Sequence, residues 1–329
     1  MGAVVALVTA AGGGCFFTAR DEPSVPVCTP GDEEACYSGP PGTAGIGVCA
    51  EGRRYCLPDG SGFWLCAAEV LPSVETCGDW VDNDCNGVKD DVAGCLVDRG
   101  LVTRHFIDEA TSGKAPSQLY DAAPDPLDLD IEHDDDIYFV ANGSDYTGLR
   151  WPFESSAGRA SQSIYGTKLL NRVNGSKALT FELVVSMVDV ESSNDRFIVG
   201  LGGLRLGLVY GTIRFYECNG YGCYARASAD SGSFILRSVL HLVVDFDKAP
   251  SSDWVRIYAN GSLVSTASFQ PSGSEIQLQF GDYYSLGRDN ASSYSFVGTI
   301  YYAAIYDEAL SEDEVQHNAQ TLLVRDDRP

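Results

Sequence analysis

The run Asp82-Asn83-Asp84-Cys85-Asn86-Gly87-Val88-Lys89-Asp90-Asp91 sets oxygen-bearing side chains at alternate positions and follows them with a glycine. That is the chemistry of a loop wrapped around a hard cation. Ca²⁺ takes about 6–8 oxygen ligands in flexible geometry; Asp82, Asp84 and Asn86 offer side-chain oxygens, and Gly87 permits the sharp turn. Val88 adds a backbone carbonyl. The position where such calcium loops carry a bidentate Glu is Ala93, so Asp90 or Asp91 has to close the site. The competing account is an acidic turn, since Asp and Asn are ordinary turn residues. The density of oxygen donors on a loop pinned by Cys85 favours the metal.

Cysteine usage fixes the compartment in which that loop works. There are 11 cysteines: Cys15, then Cys28, Cys36, Cys49, Cys56, Cys66, Cys77, Cys85 and Cys95, then Cys218 and Cys223. The middle group crowds a segment too small for a good hydrophobic core, which is the composition of a disulfide-stapled extracellular module, each bridge contributing about 2–4 kcal/mol. Zinc would need C-x-x-C or close Cys/His pairs, and the sequence has none. Connectivity within residues 28–95 is not readable from spacing. Cys218 and Cys223 flank Asn219-Gly220-Tyr221-Gly222 and are expected to staple a loop between neighbouring strands.

Cys15 stands apart from the even set. It follows an apolar stretch ending in Gly12-Gly13-Gly14, which resembles the end of a bacterial lipoprotein signal peptide with Cys15 as the lipidated residue. An ordinary secretory signal cleaved nearby is the alternative. The lipoprotein resemblance implies an extracytoplasmic protein, secreted or held at the cell surface by a lipid in the outer membrane. No stretch is long and apolar enough to span a bilayer.

Asp and Glu number 46 against 22 Lys and Arg, a formal net charge of −24. Nucleic acid is excluded as a partner, because binding phosphates requires a basic surface. The excess of carboxylates suits divalent cations. With 35 Gly, 17 Tyr and 14 Phe, the composition indicates a mainly β chain rich in turns.

Four segments follow. Residues 1–15 form the lipoprotein-type signal segment, 16–27 a tether containing Pro23 and Pro26, 28–98 the cysteine-rich metal-binding module, and 99–325 one large β-sandwich. Within the last, Ala178–Val188, Arg196–Leu201, Leu204–Tyr210, Thr212–Tyr216, Val239–Phe246, Trp254–Ala259, Ser262–Ser268, Ile276–Phe280 and Phe296–Tyr306 read as strands. Leu240, Leu242, Val244 and Phe246 alternate onto one face. Asn260-Gly261 signals a type I′ hairpin, and Ser311-Glu312-Asp313-Glu314 is a capping box opening a helix through about Thr321.

The cysteine-rich module, with Glu75, Cys77, Asp82, Asn83, Asp84, Cys85, Gly87, Asp90 and Asp91 in step, resembles the MopE-type metal-binding motif of bacterial surface and secreted proteins; the resemblance implies cation binding and no catalysis. The second half resembles the LamG-like, concanavalin A-like lectin–glucanase jelly roll. That resemblance rests on His241-Leu-Val-Val-Asp-Phe-Asp247, Val255-Arg-Ile-Tyr-Ala-Asn-Gly-Ser-Leu-Val264, Ser285-Leu-Gly-Arg288, Phe296-Val-Gly-Thr-Ile300 and Ile305-Tyr-Asp-Glu-Ala-Leu-Ser-Glu-Asp-Glu-Val315. It implies a carbohydrate or protein ligand, with glycosidases on the same fold.

A glycosidase would have to use Asp128-Leu129-Asp130-Ile131-Glu132, one residue type away from the E-x-D-x-E of retaining glucanases. Asp128 is shorter than the Glu it replaces and the motif precedes most of the strands, so no catalytic residue is assigned. His105, His133, His241 and His317 form no metalloprotease spacing. Tyr221, Tyr283 and Tyr284, placed in loops, are the candidate ligand-binding residues. The expectation is a calcium-binding, non-catalytic recognition protein for an extracellular glycan or protein, with a glycosidase or a structural envelope protein as alternatives.

Overall fold

The computed structural model describes residues 27–75, 81–87, 95–133, 136–141, 147–187, 192–219, 222–230, 237–269, 275–288 and 294–324. The chain divides into two compact units, Met1–Pro72 and Ser73–Pro329. In the first, strands Glu33–Cys36 and Gly52–Tyr55 pair antiparallel with Cys36 opposite Gly52. The bridges Cys28–Cys56 and Cys36–Cys66 fasten this hairpin to the chain on either side of it. Cys49, Cys85 and Cys95 are disulfide-bonded as well. Trp64 and Leu65 are 59% and 91% exposed, so crosslinks rather than apolar burial hold this unit together.

The second unit is a sandwich of two antiparallel sheets. One runs in the order Ser262–Ala267, Val255–Ala259, Ser238–Asp245, Ala178–Met187, Gly298–Tyr306, Thr147–Trp151, Tyr138–Ala141 and Ser112–Gly113, with Leu101–Phe106 also pairing to Gly298–Tyr306. The other runs Gly222–Asp230, Thr212–Asn219, Leu204–Val209, Arg196–Leu201, Tyr283–Leu286, Arg159–Ser163, Leu129–Glu132 and Gln118–Leu119. Their facing sides interdigitate through Leu179, Phe181, Leu183, Val185, Leu206, Phe215, Leu240, Leu242, Val244 and Leu286, all buried. The period-2 pattern of the central strands is thus an inter-sheet core.

Asn260 and Gly261 both take positive φ, 48° and 80°, as a type I′ hairpin demands. Cys218 bonds to Cys223 across the hairpin of Thr212–Asn219 and Gly222–Asp230. The capping box is formed: Ser311 N–H donates to Glu314 Oε2 at 2.8 Å and Glu314 N–H to Ser311 Oγ at 3.3 Å, opening the helix Glu312–Val324. Two expectations fail. Ile276–Phe280 is not a strand but leads into a turn closed by Asp282 N–H on Gln279 O, and Tyr283–Leu286 is a strand rather than a loop. The sequence pattern also misses the strands between Leu101 and Ser163, which are two to six residues long and carry too few periods to announce themselves.

The outer face of the first sheet is covered by the C-terminal helix through Val315, Ala319 and Leu322, which makes Ala178–Met187 and Gly298–Tyr306 buried on both sides. A carboxylate lies beneath that cover. Glu182 is fully buried and accepts four hydrogen bonds: His241 Nε2 at 2.8 Å, Asn318 Nδ2 at 2.7 Å, Tyr302 Oη at 2.8 Å and Tyr306 Oη at 3.0 Å. Arg104 joins through Tyr302 Oη at 3.2 Å and Tyr306 Oη at 3.4 Å and reaches Asp98 Oδ1 at 2.7 Å. Outside the network, Arg99 forks onto Glu314 at 3.1 and 2.9 Å, and this pairing holds the Glu314 carboxyl down at about 2.

Burial alone would push the Glu182 carboxyl up, but the hydrogen bonds from His241, Asn318 and Tyr302 outweigh it and hold the group below the usual carboxylate range. A carboxyl depressed in the folded state contributes stability above its unfolded value of about 4.3 and loses it as pH falls through the folded value. Glu182→Ala is expected to cost about 3 kcal/mol or more at pH 7, because four buried donors lose their acceptor. Melting curves from neutral pH to about pH 3 should show wild-type stability falling below about pH 4 and a flatter acid limb for Glu182→Gln.

Candidate functional site

The acidic loop closes on itself through backbone amides. Cys85 and Gly87 take positive φ, 63° and 97°, and bend the chain so that successive N–H groups point inward. Asp82 Oδ1 accepts from Asn86 N–H at 3.2 Å, Asp82 Oδ2 from Gly87 N–H at 2.9 Å, and Asp84 Oδ1 from Asn86 N–H at 3.0 Å. Ser73 N–H donates to Asn83 O at 2.9 Å and ties the segment before the loop to it. That contact delivers Glu75, whose Oε1 accepts from Asn83 N–H at 2.7 Å and Asp84 N–H at 2.8 Å.

Glu75, Asp82 and Asp84 thereby bring one carboxylate oxygen each within 4.8 Å of one another. Glu75 and Asp82 are 9% and 3% exposed, and Glu75 Oε2 is buried with no hydrogen-bond partner. Three carboxylates this close repel each other, and a buried carboxylate oxygen without a hydrogen-bond partner is what a divalent cation would satisfy. The residues present fit Ca²⁺: hard oxygen donors, two of them largely withdrawn from water. Of the ligands read from sequence, Asp82 and Asp84 are brought together. Asn86 gives its Nδ2 to Asp84 Oδ2 at 3.1 Å and so braces that carboxylate. Val88, Asp90 and Asp91 lie outside the described residues, as does Cys15. Glu75 is not among the oxygen donors read from the loop, because it joins the cluster through the Ser73–Asn83 backbone bridge, which local spacing does not encode.

The tyrosines separate. Tyr221 lies outside the described residues. Tyr284 is a correction: it is 0% exposed, in the inter-sheet core, with its ring 5.8 Å from that of His105. Tyr283 and Tyr284 are successive residues of a strand, so their side chains leave opposite faces, and only Tyr283, 42% exposed, can meet a ligand. Burial pushes the Tyr284 phenol up and the His105 imidazole down to about 4.

Beside Tyr283 the structure places two aromatics that the sequence reading passed over. Tyr165 and Phe280 are 68% and 73% exposed and meet edge to face with ring centroids 5.6 Å apart. Ser163 pairs with Tyr283 across adjacent strands, and Ile164 N–H donates to Asp282 O at 3.1 Å, which brings the two turns together. Phe280 ends the stretch Ile276–Phe280 whose pattern reads as a strand, which hides it among predicted core residues.

The carboxylates of the Asp128–Glu132 segment are occupied. Asp128 Oδ1 accepts from Asp121 N–H at 2.9 Å. Asp130 and Glu132 share the outer face of their sheet, Asp130 bound by Gln118 Nε2 at 2.9 Å and Glu132 paired with Arg159 at 2.9 Å. Leu129 and Ile131 point into the core.

Residues 158–316 match Laminin_G_3, the concanavalin A-like lectin/glucanases superfamily. No curated protein matches the chain. A solved receptor binding domain shares the fold with a TM-score of 0.50 and 10% identity over 68% of this chain and 51% of its own. The ligand binding domain of botulinum neurotoxin serotype D in complex with N-acetylneuraminic acid gives 0.46 and 14% over 69% and 52%, and a Trypanosoma rangeli sialidase in complex with sialic acid gives 0.48 and 12% over 70% and 35%. The chain spans about half of the toxin domains and about a third of the sialidase, and at these identities the likeness concerns the fold alone. The two-sheet architecture, the matched segment and the closing strand and helix agree on a concanavalin A-like β-sandwich fold, with residues 158–316 similar to the lectin/glucanases superfamily.

Proposed function

We propose that this is a secreted or surface-held, non-catalytic recognition protein whose sandwich binds an extracellular glycan and whose acidic loop binds Ca²⁺. The observation that carries the reading is a lectin/glucanase-like sandwich that presents Tyr165, Phe280 and Tyr283 exposed on two joined turns and the adjoining strand end, while the carboxylates of its glucanase-like segment are engaged by Gln118 and Arg159. The disulfides support an oxidising, extracytoplasmic setting, and among the described residues no helix is long and apolar enough to cross a membrane. Lipid attachment at Cys15, which would hold the protein at the outer membrane, belongs to the same proposal, and mass spectrometry of the purified N-terminus tests it.

Glu75, Asp82 and Asp84 would hold the cation, which supplies positive charge that the loop's own amides only partly provide. Calcium added to the full chain is expected to bind in isothermal titration and to raise the melting temperature; at about 100 times Kd the gain is about 2.7 kcal/mol for whatever unfolds with the loop. The double variant Glu75→Gln with Asp82→Asn should show neither effect. A wild-type chain that takes up no calcium after chelator treatment would remove the metal from the reading.

For the sandwich, a glycan array probed with the full chain, with and without calcium, should reveal carbohydrate ligands, and incubation with β-glucans should release no reducing sugar. Release of reducing ends by the wild type, lost in Asp130→Asn with Glu132→Gln, would move the assignment to a glycosidase.

A further inference from the structure

We propose that Tyr165, Phe280 and Tyr283 form a stacking platform for an uncharged saccharide, a chain of neutral pyranose rings; this rests on the reading of the sandwich as a glycan binder. Scattered exposed aromatics are ordinary on protein surfaces, whereas contiguous ones mark binding sites. Here two rings, each about two-thirds exposed or more, contact one another at an interplanar angle of 70°, and a third half-exposed ring stands on the neighbouring strand end. The edge-to-face arrangement leaves ring faces open to solvent, and the negative π face is the surface on which the C–H groups of a pyranose pack.

The frame that presents these rings is fixed. Thr167 closes the turn after Arg159–Ser163 with its N–H at 3.1 Å and its Oγ1 at 2.7 Å on Ile164 O. The second turn is closed by Asp282 N–H on Gln279 O at 3.0 Å and by Gln279 N–H on Asp282 Oδ2 at 2.7 Å. Gly202 N–H on Tyr283 O at 3.0 Å adds a third turn, and the Asp282 carboxylate lies so close over Gly202 that a Cβ there would collide with it. Turns joined in this way lose little freedom when a ligand settles on them.

Charge selects among sugars. The two cations of the adjoining helix Lys168–Val173 are committed, Lys168 to buried Asp121 at 2.7 Å and Arg172 to Asp307 at 2.8 Å. Asp282 adds a carboxylate next to Tyr283, and the chain as a whole carries −24. An anionic sugar would approach a negative surface with no cation of that helix released to meet it, whereas a neutral ring pays no such electrostatic cost.

The test uses the full chain and immobilised cellohexaose, laminarihexaose and chitohexaose against sialyllactose and oligogalacturonate. Binding is expected for at least one neutral oligosaccharide, nearly independent of salt. Tyr165→Ala with Phe280→Ala should weaken it by about tenfold or more at an unchanged melting temperature, while Tyr165→Phe with Phe280→Tyr, which keeps both ring faces, should retain it. Neutral-sugar binding that survives the alanine pair would overturn the platform and leave the glycan reading standing. Preferred binding of sialyllactose or oligogalacturonate would overturn the charge selection. Failure to bind any of the five probes and any array glycan would overturn the platform together with the reading it rests on.

Discussion

A single buried carboxylate organises the sandwich. Glu182 sits fully buried in a central strand, where an ion without partners would be prohibitive, so its environment has to deliver donors from several sides. They come from the strands Ser238–Asp245 and Gly298–Tyr306 and from the C-terminal helix. Asn318 shows how tightly this is specified: its Nδ2 is spent on Glu182, while its Oδ1 accepts Val97 N–H at 3.0 Å. Rotating or sliding the helix would break bonds at both ends of the amide. The apolar contacts of Val315, Ala319 and Leu322 tolerate small slips; the polar network does not. It sets the register in which the helix seals the outer face of the sheet.

With both faces of the central strands committed, variation is left to the loops. The two candidate sites use that freedom differently. The acidic loop is built from its own backbone: left-handed turns at Cys85 and Gly87 aim amides at carboxylates that would otherwise repel. The aromatic rim is built from distant parts of the chain that the sheet brings together, and its rings are presented by turns anchored in the strand Tyr283–Leu286. One site is local in sequence and electrostatic. The other is assembled and dispersive.

This difference explains what the sequence disclosed. The long central strands alternate clearly, so Ala178–Met187, Arg196–Leu201 and Ser238–Asp245 are placed almost to the residue, and the capping box at Ser311 and the Asn260-Gly261 hairpin each act within a few positions. Asp82 and Asp84 approach each other within one short loop, whereas Glu75 reaches them only through a backbone bridge from Ser73 to Asn83, which spacing does not encode. Tyr283 and Tyr284 were grouped by type, although adjacency on a strand sends one to solvent and the other to the core. Tyr165 and Phe280 meet only because their turns are joined across two sheet neighbours, and no local pattern encodes that.

The Val97–Asn318 hydrogen bond spans 221 residues, and the Arg104–Tyr302 contact spans 198. The Cys28–Cys56 and Cys36–Cys66 bridges close loops of only 28 and 30. The two parts of the chain therefore mature on different clocks. The crosslinked segment can reach its final connectivity as soon as an oxidant meets it, whereas the sandwich has no complete polar network until its last helix has arrived, and long-range closure of that kind is slow. Before that helix docks, the strands Ala178–Met187 and Gly298–Tyr306 would expose apolar surface that the folded chain buries on both sides. Truncation just before Glu312 would accordingly leave a chain that pairs its strands but stays prone to aggregate through an uncovered sheet.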